Sequence, residues 1–376
     1  LIEIIVLQKT FVISPNNISL KMNKLPIIGI TIGDLNSIAP EVVIKTLSDP
    51  RICEYCIPVI YASPKVIGFW KKLVGMPDFF VNIIRNVEQA HTKKVNLVTC
   101  WEEEVEIKIG EANENGGKYA FKSLEIATRD LKDGKIDGLV TAPLNKNLVN
   151  SELLPFKGHT EYLAHELNSH NYLMFLVSEN LKIGLVTGHV PIKEVASKLT
   201  TENILKKIKT MNESLKNDFN CPKPKIAVLG LNPHAGDNGL IGNEEKTIII
   251  PAVTAAQSEG ITAFGPYPAD GFFGSKQYEK FDGVLAMYHD QGLIPFKSFA
   301  FSDGVNYTAG LKMVRTSPDH GTAYDIAGKN KADESSMRNA LYLALDIITR
   351  RSDNAILKAN PLAFQQFKRE RFRMDF

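Results

Sequence analysis

No stretch of this 376-residue chain approaches the ~18 consecutive apolar residues of a membrane-spanning helix, so the chain reads as soluble, with no membrane partner expected. Charge of one sign is also scarce. Forty-four Lys and Arg stand against 42 Asp and Glu, a net charge of +2 with no clustered basic patch, and a nucleic-acid partner is not expected either. Cysteine is rare: Cys53, Cys56, Cys100 and Cys221 are too few and too scattered for a disulfide framework in a chain this long. The Cys53-x-x-Cys56 pair has no second pair or nearby histidine to complete a tetrahedral zinc site, so it reads as two reduced thiols of a cytoplasmic protein. Residues 1–22 lack the basic start, long apolar centre and small-residue cleavage site of a secretory signal, and this N-terminal extension is expected to add nothing to catalysis.

What is present is enough to bury a full core. With 44% hydrophobic residues, the length suits two domains or one large α/β unit. Short Ile- and Val-rich runs recur at 26–33, 56–62, 137–143, 182–189, 225–234 and 281–289, as in strands buried on both faces of a mostly parallel sheet. Helical patterns lie between them, notably 202–218 and 244–260, the latter closed by Gly260. Strands alternating with helices predict an α/β fold.

Three of the eight histidines, His189, His234 and His289, each close a predicted buried strand and stand just before a loop. The carboxyl ends of strands face the ligand crevice in open α/β sheets, so three imidazoles there are expected to converge on a divalent metal with positions left for substrate. The alternative is that each caps its own loop; three coincident placements favour the metal. His165 and His170, in "HTEYLAHELNSH", read instead as part of a solvated helix face, His91 as surface and His320 as structural. Lys297, Asn306 and Arg315 follow at nine-residue intervals. Lysine and arginine suit a phosphate or carboxylate anion, but spacing alone does not separate them from ordinary surface charge.

The stretches "GHTEYLA" (158–164), "TGHVPI" (187–192), "LNPHAGDNGLIGNEE" (231–245), "YHDQGLIPFK" (288–297) and "SPDHGTAYDIAGK" (317–329) change that balance. In order and spacing they resemble the successive motifs of the 4-hydroxythreonine-4-phosphate dehydrogenase family, from about Leu25 to near the C-terminus. The resemblance implies the two-domain fold of isocitrate and isopropylmalate dehydrogenases, with 23–160 and 305–376 in a first α/β domain and 161–304 in a second. It implies one divalent ion (Zn, Mg or Co) on His189, His234 and His289, and a substrate site of His159, Thr160, Lys297, Asn306 and Arg315. It further implies a homodimer whose active sites lie at the subunit interface, with metal ligands from both chains.

The implied reaction is oxidation of 4-phosphooxy-L-threonine by NAD or NADP to 2-amino-3-oxo-4-phosphooxybutanoate, which loses carbon dioxide to give 3-amino-2-oxopropyl phosphate, in vitamin B6 (pyridoxal phosphate) biosynthesis. No G-x-G-x-x-G follows the first strand, so a Rossmann cofactor site is not supported, and the glycines of "HAGDNGLIGNEE" are the alternative place for phosphates. The catalytic base is not identified. One departure stands out: where the family pattern is G-D-P-x-G-I-G-P-E, this chain reads "GDLNSIAPE" at 33–41, with Leu35, Ser37 and Ala39 in place of the proline and two glycines. Side chains at Ser37 and Ala39 are then expected to fill space beside substrate or cofactor, unless the loop has shifted to take them in. Three rival readings are a dehydrogenase of threonate or erythronate 4-phosphate, a metal-dependent hydrolase, and a non-catalytic phosphate binder.

Overall fold

The computed structural model describes residues 24–149, 159–169 and 171–359, with the side chain of His159 outside that set. The N-terminal tract 1–22 and His170, both singled out above, lie outside the described residues. Among the described residues the strands are β1 (Ile27–Thr31), β2 (Ile57–Ala62), β3 (Asn82–Ile84), β4 (Asn96–Thr99), β5 (Gly138–Val140), β6 (Leu173–Val177), β7 (Lys182–Leu185), β8 (Lys225–Leu229), β9 (Thr262–Tyr267), β10 (Gly283–Ala286), β11 (Val305–Ala309) and β12 (Val314–Pro318), and the six recurring apolar runs of the sequence are β1, β2, β5, β7, β8 and β10. All join one sheet in the order β3-β4-β2-β1-β5-β12-β11-β6-β7-β10-β8-β9.

The sheet is mostly parallel, as its doubly buried strands require. The block from β3 to β12 is parallel throughout, and so is the block from β7 to β9. Antiparallel pairing is confined to the middle, where β11 pairs with β12 and β6, and β6 with β7. The two parallel blocks therefore run in opposite directions. Neither β11 nor β12 reads as a buried strand in the sequence, because each carries polar residues on the face that floors a cavity.

Helices cover both faces. Thr201–Asn217 starts where the Thr200 hydroxyl accepts from the Asn203 amide at 3.1 Å, and it buries Ile204, Ile208, Met211 and Leu215 as one stripe. The pattern at 244–260 forms a π-helical turn, Glu245–Ile249, running into an α-helix, Ile250–Ser258. Pro251 explains the change of pitch, since it has no N–H to close an i→i−4 bond. On one face of the sheet, Tyr307 donates to Asp218 Oδ2 at 2.6 Å while Arg351 Nε donates to Oδ1 at 2.7 Å, which ties the helix Ser335–Ala359 to the sheet's centre. A separate apolar cluster, including Leu176, Ile183, Ala227, Val284 and Phe296, packs beneath the helix His289–Phe299. Among the described residues no helix is long and apolar enough to cross a membrane.

The loop "GDLNSIAPE" takes its departures inward. Gly33 keeps a positive φ of 69°, where a Cβ would lie 2.6 Å from that of Ala39, so glycine is still required there. Leu35, Ser37 and Ala39 have ordinary φ and are buried. Ser37 Oγ donates to Asp34 O at 2.8 Å and accepts from Ala39 N at 3.0 Å. The side chains of Ser37 and Ala39 are thus buried, and the serine hydroxyl stitches the loop together.

Candidate active site

Opposed residues in an antiparallel pair point to the same face. Asn306 lies opposite Ser317 and Leu176, and Thr308 opposite Met174, so these side chains share one side of the sheet's antiparallel centre. Arg315 joins them, donating from Nη1 to Thr308 Oγ1 at 3.3 Å. This is why Asn306 and Arg315, nine residues apart, meet: the hairpin of β11 and β12 folds them onto one floor.

Above that floor is a cavity of about 280 Å³. Its walls come from the segment after β5 (Thr141, Lys146), the helix His159–Glu166 (Thr160, Glu161), the loop after β7 (His189), the helix His289–Phe299 and the segment after β12 (Asp319, His320). His289, Leu293 and Lys297 stand four residues apart on the helix His289–Phe299 and so share its inner face. Lys297 Nζ is pinned 3.1 Å from Asp319 O and 3.7 Å from Asp319 Oδ2.

The cavity is cationic on one side and unsatisfied on another. Arg315, 2% exposed, has its pKa drawn down by burial to about 10 against the opposing field of Glu161, so it remains charged at neutral pH. Burial lowers Lys146 as well, with Glu161 again opposing. Burial raises Asp319, and Lys297 works against that rise. Among the described residues, three buried polar atoms of the lining have no hydrogen-bond partner: Glu161 Oε2, Asn306 Oδ1 and His320 Nε2. Such atoms are costly in a folded core, and their concentration in one cavity marks a place built for a polar ligand.

A second cavity of about 310 Å³ adjoins the first, sharing Thr160, Glu161, Met174 and His189. Lys207 lines it, donating to the Tyr172 carbonyl with its amine over the Tyr172 ring, and burial draws the Lys207 pKa down to about 8.

Two of the three histidines meet. The His189 and His289 rings lie 5.5 Å apart between centroids and are inclined by 43°. Each has a carboxylate at Nδ1, Glu161 Oε1 at 3.7 Å and Asp290 Oδ1 at 2.7 Å, an arrangement that keeps Nε2 for a metal. These donors fit a divalent ion. His234 stands elsewhere: it is exposed, lines neither cavity, and belongs to a run of left-handed residues from His234 (φ 54°) to Asn238 (φ 54°). Among the described residues no group of three His, Cys, Asp or Glu side chains is arranged to hold a metal within one chain. The expected convergence is thus seen for His189 and His289 and not, within a single chain, for His234. The amides of Leu231 and Asn232, at the start of the same loop, are taken by Glu245 Oε1 at 2.8 and 2.7 Å. Asp237, Glu244 and Glu245 stand in the same stretch, 231–245.

Of the expected substrate residues, Thr160, Lys297, Asn306 and Arg315 line the cavity, and His159 opens the helix that carries Thr160. Thr160 Oγ1 lies 3.5 Å from Thr308 Oγ1. Sequence reasoning missed Thr141, Glu161, Asp319 and His320. His320, expected to be structural, carries one of the orphaned nitrogens. Glu161 leaves the solvated side of its helix and turns toward His189, whereas the His165 side chain remains 66% exposed. The available signal for Glu161 was its place next to Thr160 in "GHTEYLA".

Fold and site together define a class: an α/β protein with a cationic cavity over the centre of its own sheet and paired imidazoles at the rim. The chain belongs to the family described as pyridoxal phosphate biosynthetic protein PdxA, whose model matches residues 54–344. It is 47% identical over 343 residues to the 4-hydroxythreonine-4-phosphate dehydrogenase of Bacteroides thetaiotaomicron, covering 91% of this chain and 94% of that one. A protein of Oceanobacillus iheyensis named as a putative D-threonate 4-phosphate dehydrogenase is 40% identical over 87% of this chain and 99% of its own. The crystal structure of 4-hydroxythreonine-4-phosphate dehydrogenase from Klebsiella pneumoniae superposes with a TM-score of 0.75 at 36% identity, covering 87% of this chain and 99% of that one. Like these relatives the chain is an oxidoreductase, and the hydrolase and binding-protein readings find no support.

Proposed function

We propose that the chain oxidises 4-phosphooxy-L-threonine at C3 and releases carbon dioxide and 3-amino-2-oxopropyl phosphate, as a step of pyridoxal phosphate formation. The observation that carries this reading is a small cavity holding Arg315, Lys297 and Lys146 together with three orphaned polar atoms. The phosphate and carboxylate of this substrate need such fixed positive charge, arginine as a planar fork and lysine as a point charge. Asn306 and Thr160 supply neutral hydrogen bonds that set the substrate's orientation, with His159 beside them.

His189 and His289 would hold a divalent ion, Zn, Mg or Co, and His234 of the partner subunit completes the set in the proposed homodimer. When bound, such an ion stabilises negative charge on a substrate oxygen, and NAD or NADP accepts the hydride. Glu161 and Asp290 orient the two imidazoles, Arg315 and Lys297 hold the anionic ends, and the sheet floor excludes water from below. The exposed apolar residues Ile192, Leu240, Ile294 and Phe301, between 65% and 82% exposed, are available for contact with a second copy.

The relative named for D-threonate 4-phosphate favours a second reading in which C2 of the substrate bears a hydroxyl. One experiment separates the two. Metal-loaded enzyme with NAD or NADP is given each substrate, following reduced cofactor for both and, for 4-phosphooxy-L-threonine, 3-amino-2-oxopropyl phosphate. The expected result is the higher kcat/KM for 4-phosphooxy-L-threonine; preference for threonate 4-phosphate would replace the first reading with the second.

A further inference from the structure

Resting on the substrate proposed above, the cavity poses a question of charge. Phosphate and carboxylate account for its cations, but 4-phosphooxy-L-threonine also carries an ammonium at C2. An ammonium has three N–H donors and no acceptor, so a site that recognises it must present oxygen atoms, at least one of them charged. Among the described residues two carboxylates line the cavity. Asp319 is engaged by Lys297, which lies 3.7 Å from its Oδ2 and donates to its carbonyl. Glu161 is different: Oε1 faces His189 Nδ1 at 3.7 Å, and Oε2 is buried without a partner.

We propose that Glu161 is the specificity residue of this site, its unpartnered Oε2 accepting from the 2-ammonium of the substrate. A substrate bearing a C2 hydroxyl makes a weaker bond there, because the partner of the carboxylate is then neutral. The carboxylate stands among cations, Lys146, Lys207 and Arg315 each lying within reach of its field. It is thereby held ready for a donor that arrives with the ligand. Glu161 thus touches both halves of the site, His189 through one oxygen and the substrate through the other.

The test separates recognition of the amine from support of His189. O-phospho-L-homoserine is the proposed substrate without its C3 hydroxyl, and 4-phosphooxybutanoate is the same molecule without the amine as well. Neither has the alcohol to be oxidised, so their binding to the full-length, metal-loaded protein is measured by calorimetry without turnover. In Glu161→Gln, which keeps shape and an acceptor but loses charge, phosphohomoserine should bind roughly tenfold more weakly or worse, the scale of a charge-assisted hydrogen bond. The affinity for 4-phosphooxybutanoate should stay within about twofold on the same basis. Glu161→Asp keeps the charge and should retain a preference for the amino compound, which covers the case in which the glutamine variant fails to fold. Equal weakening of both ligands, or no change in either, overturns the proposal, as does an aspartate variant that folds and shows no preference. Failure of the parent reading looks different: wild-type enzyme would not oxidise 4-phosphooxy-L-threonine, whatever the variants bind.

Discussion

Arg315 and Thr141 form a close polar contact in the cavity: Nη2 and Nε of the guanidinium donate to one threonine hydroxyl at 2.5 and 3.1 Å. Thr141 follows β5 and Arg315 lies in β12, and these strands pair in parallel, so the contact is built by the sheet itself. A cation held this rigidly gives up little freedom when it meets an anion.

Replacing Arg315 by lysine should therefore lower kcat/KM for the phosphorylated substrate by roughly tenfold or more, since a point charge cannot reproduce the fork. Thr141→Val should cost less in kcat/KM but about 1 to 2 kcal/mol in stability, because it removes the hydroxyl that accepts from two buried guanidinium N–H groups. Steady-state kinetics and denaturant titration check the pair. An Arg315→Lys enzyme with wild-type kcat/KM removes the arginine from the anion site.

The separation of His234 from His189 and His289 leads to a mixing experiment. His189→Ala and His234→Ala homodimers should each lose bound metal and activity. In a mixed dimer, one of the two sites would draw His189 and His289 from the His234→Ala chain and His234 from its partner, all three intact. Subunit exchange between the two inactive variants should restore activity, up to about half of the wild-type sites per mixed dimer on the closed two-fold arrangement. No recovery after verified exchange places all three ligands in one chain or removes His234 from the site.

The sequence disclosed β1, β2, β5, β7, β8 and β10, and the histidines, for one reason: a strand buried on both faces must be apolar along its length, and its end is conspicuous. The centre of the sheet was hidden for the converse reason. In β11 and β12 one face is core and the other is cavity floor, so Asn306, Thr308, Arg315 and Ser317 interrupt the apolar pattern. The same alternation that builds the site conceals the strands that carry it. Lys297, Asn306 and Arg315 could not be told from surface charge by spacing, because their meeting depends on a hairpin and on a helix end far from it in sequence. Glu161 was hidden by its helix, since an eight-residue segment exposing His165 gives no sign that its first turn faces inward.

The loop 33–41 predicts a loss rather than a gain when its glycines are restored. Ser37 is fully buried with both hydrogen bonds of its hydroxyl made inside the loop, and Ala39 opens the helix Ala39–Leu47. Ser37→Gly with Ala39→Gly should destabilise the protein by about 1.5 to 3 kcal/mol, from the lost hydroxyl bonds and the poorer helix propensity of glycine. Kinetic constants for substrate and NAD should stay within about twofold, the level expected of a change remote from transition-state contacts. An improved kcat/KM would show that the side chains do press on a ligand.

Lys207 predicts a pH-dependent cost. Its folded pKa, about 8, lies below the ordinary lysine value because burial disfavours the charged amine, with Glu161 only partly compensating. The sign follows from linkage. Below about 8 both states hold the proton and the penalty of burying it is fully present. Between about 8 and about 10.4 the unfolded chain keeps a proton that the folded protein has released, so stability rises with pH through that window. Lys207→Met removes the titrating group and keeps the apolar stem, at the expense of the bond to the Tyr172 carbonyl. The variant should gain about 1 to 2 kcal/mol relative to wild type at pH 7, an amount discounted for the partial exposure of the amine, and that advantage should shrink steadily toward pH 10. Urea titrations of both proteins across this range measure the difference directly. A difference that stays constant with pH would mean that Lys207 is as readily protonated in the folded protein as in the unfolded chain, and that the cavity beside Glu161 is open to water.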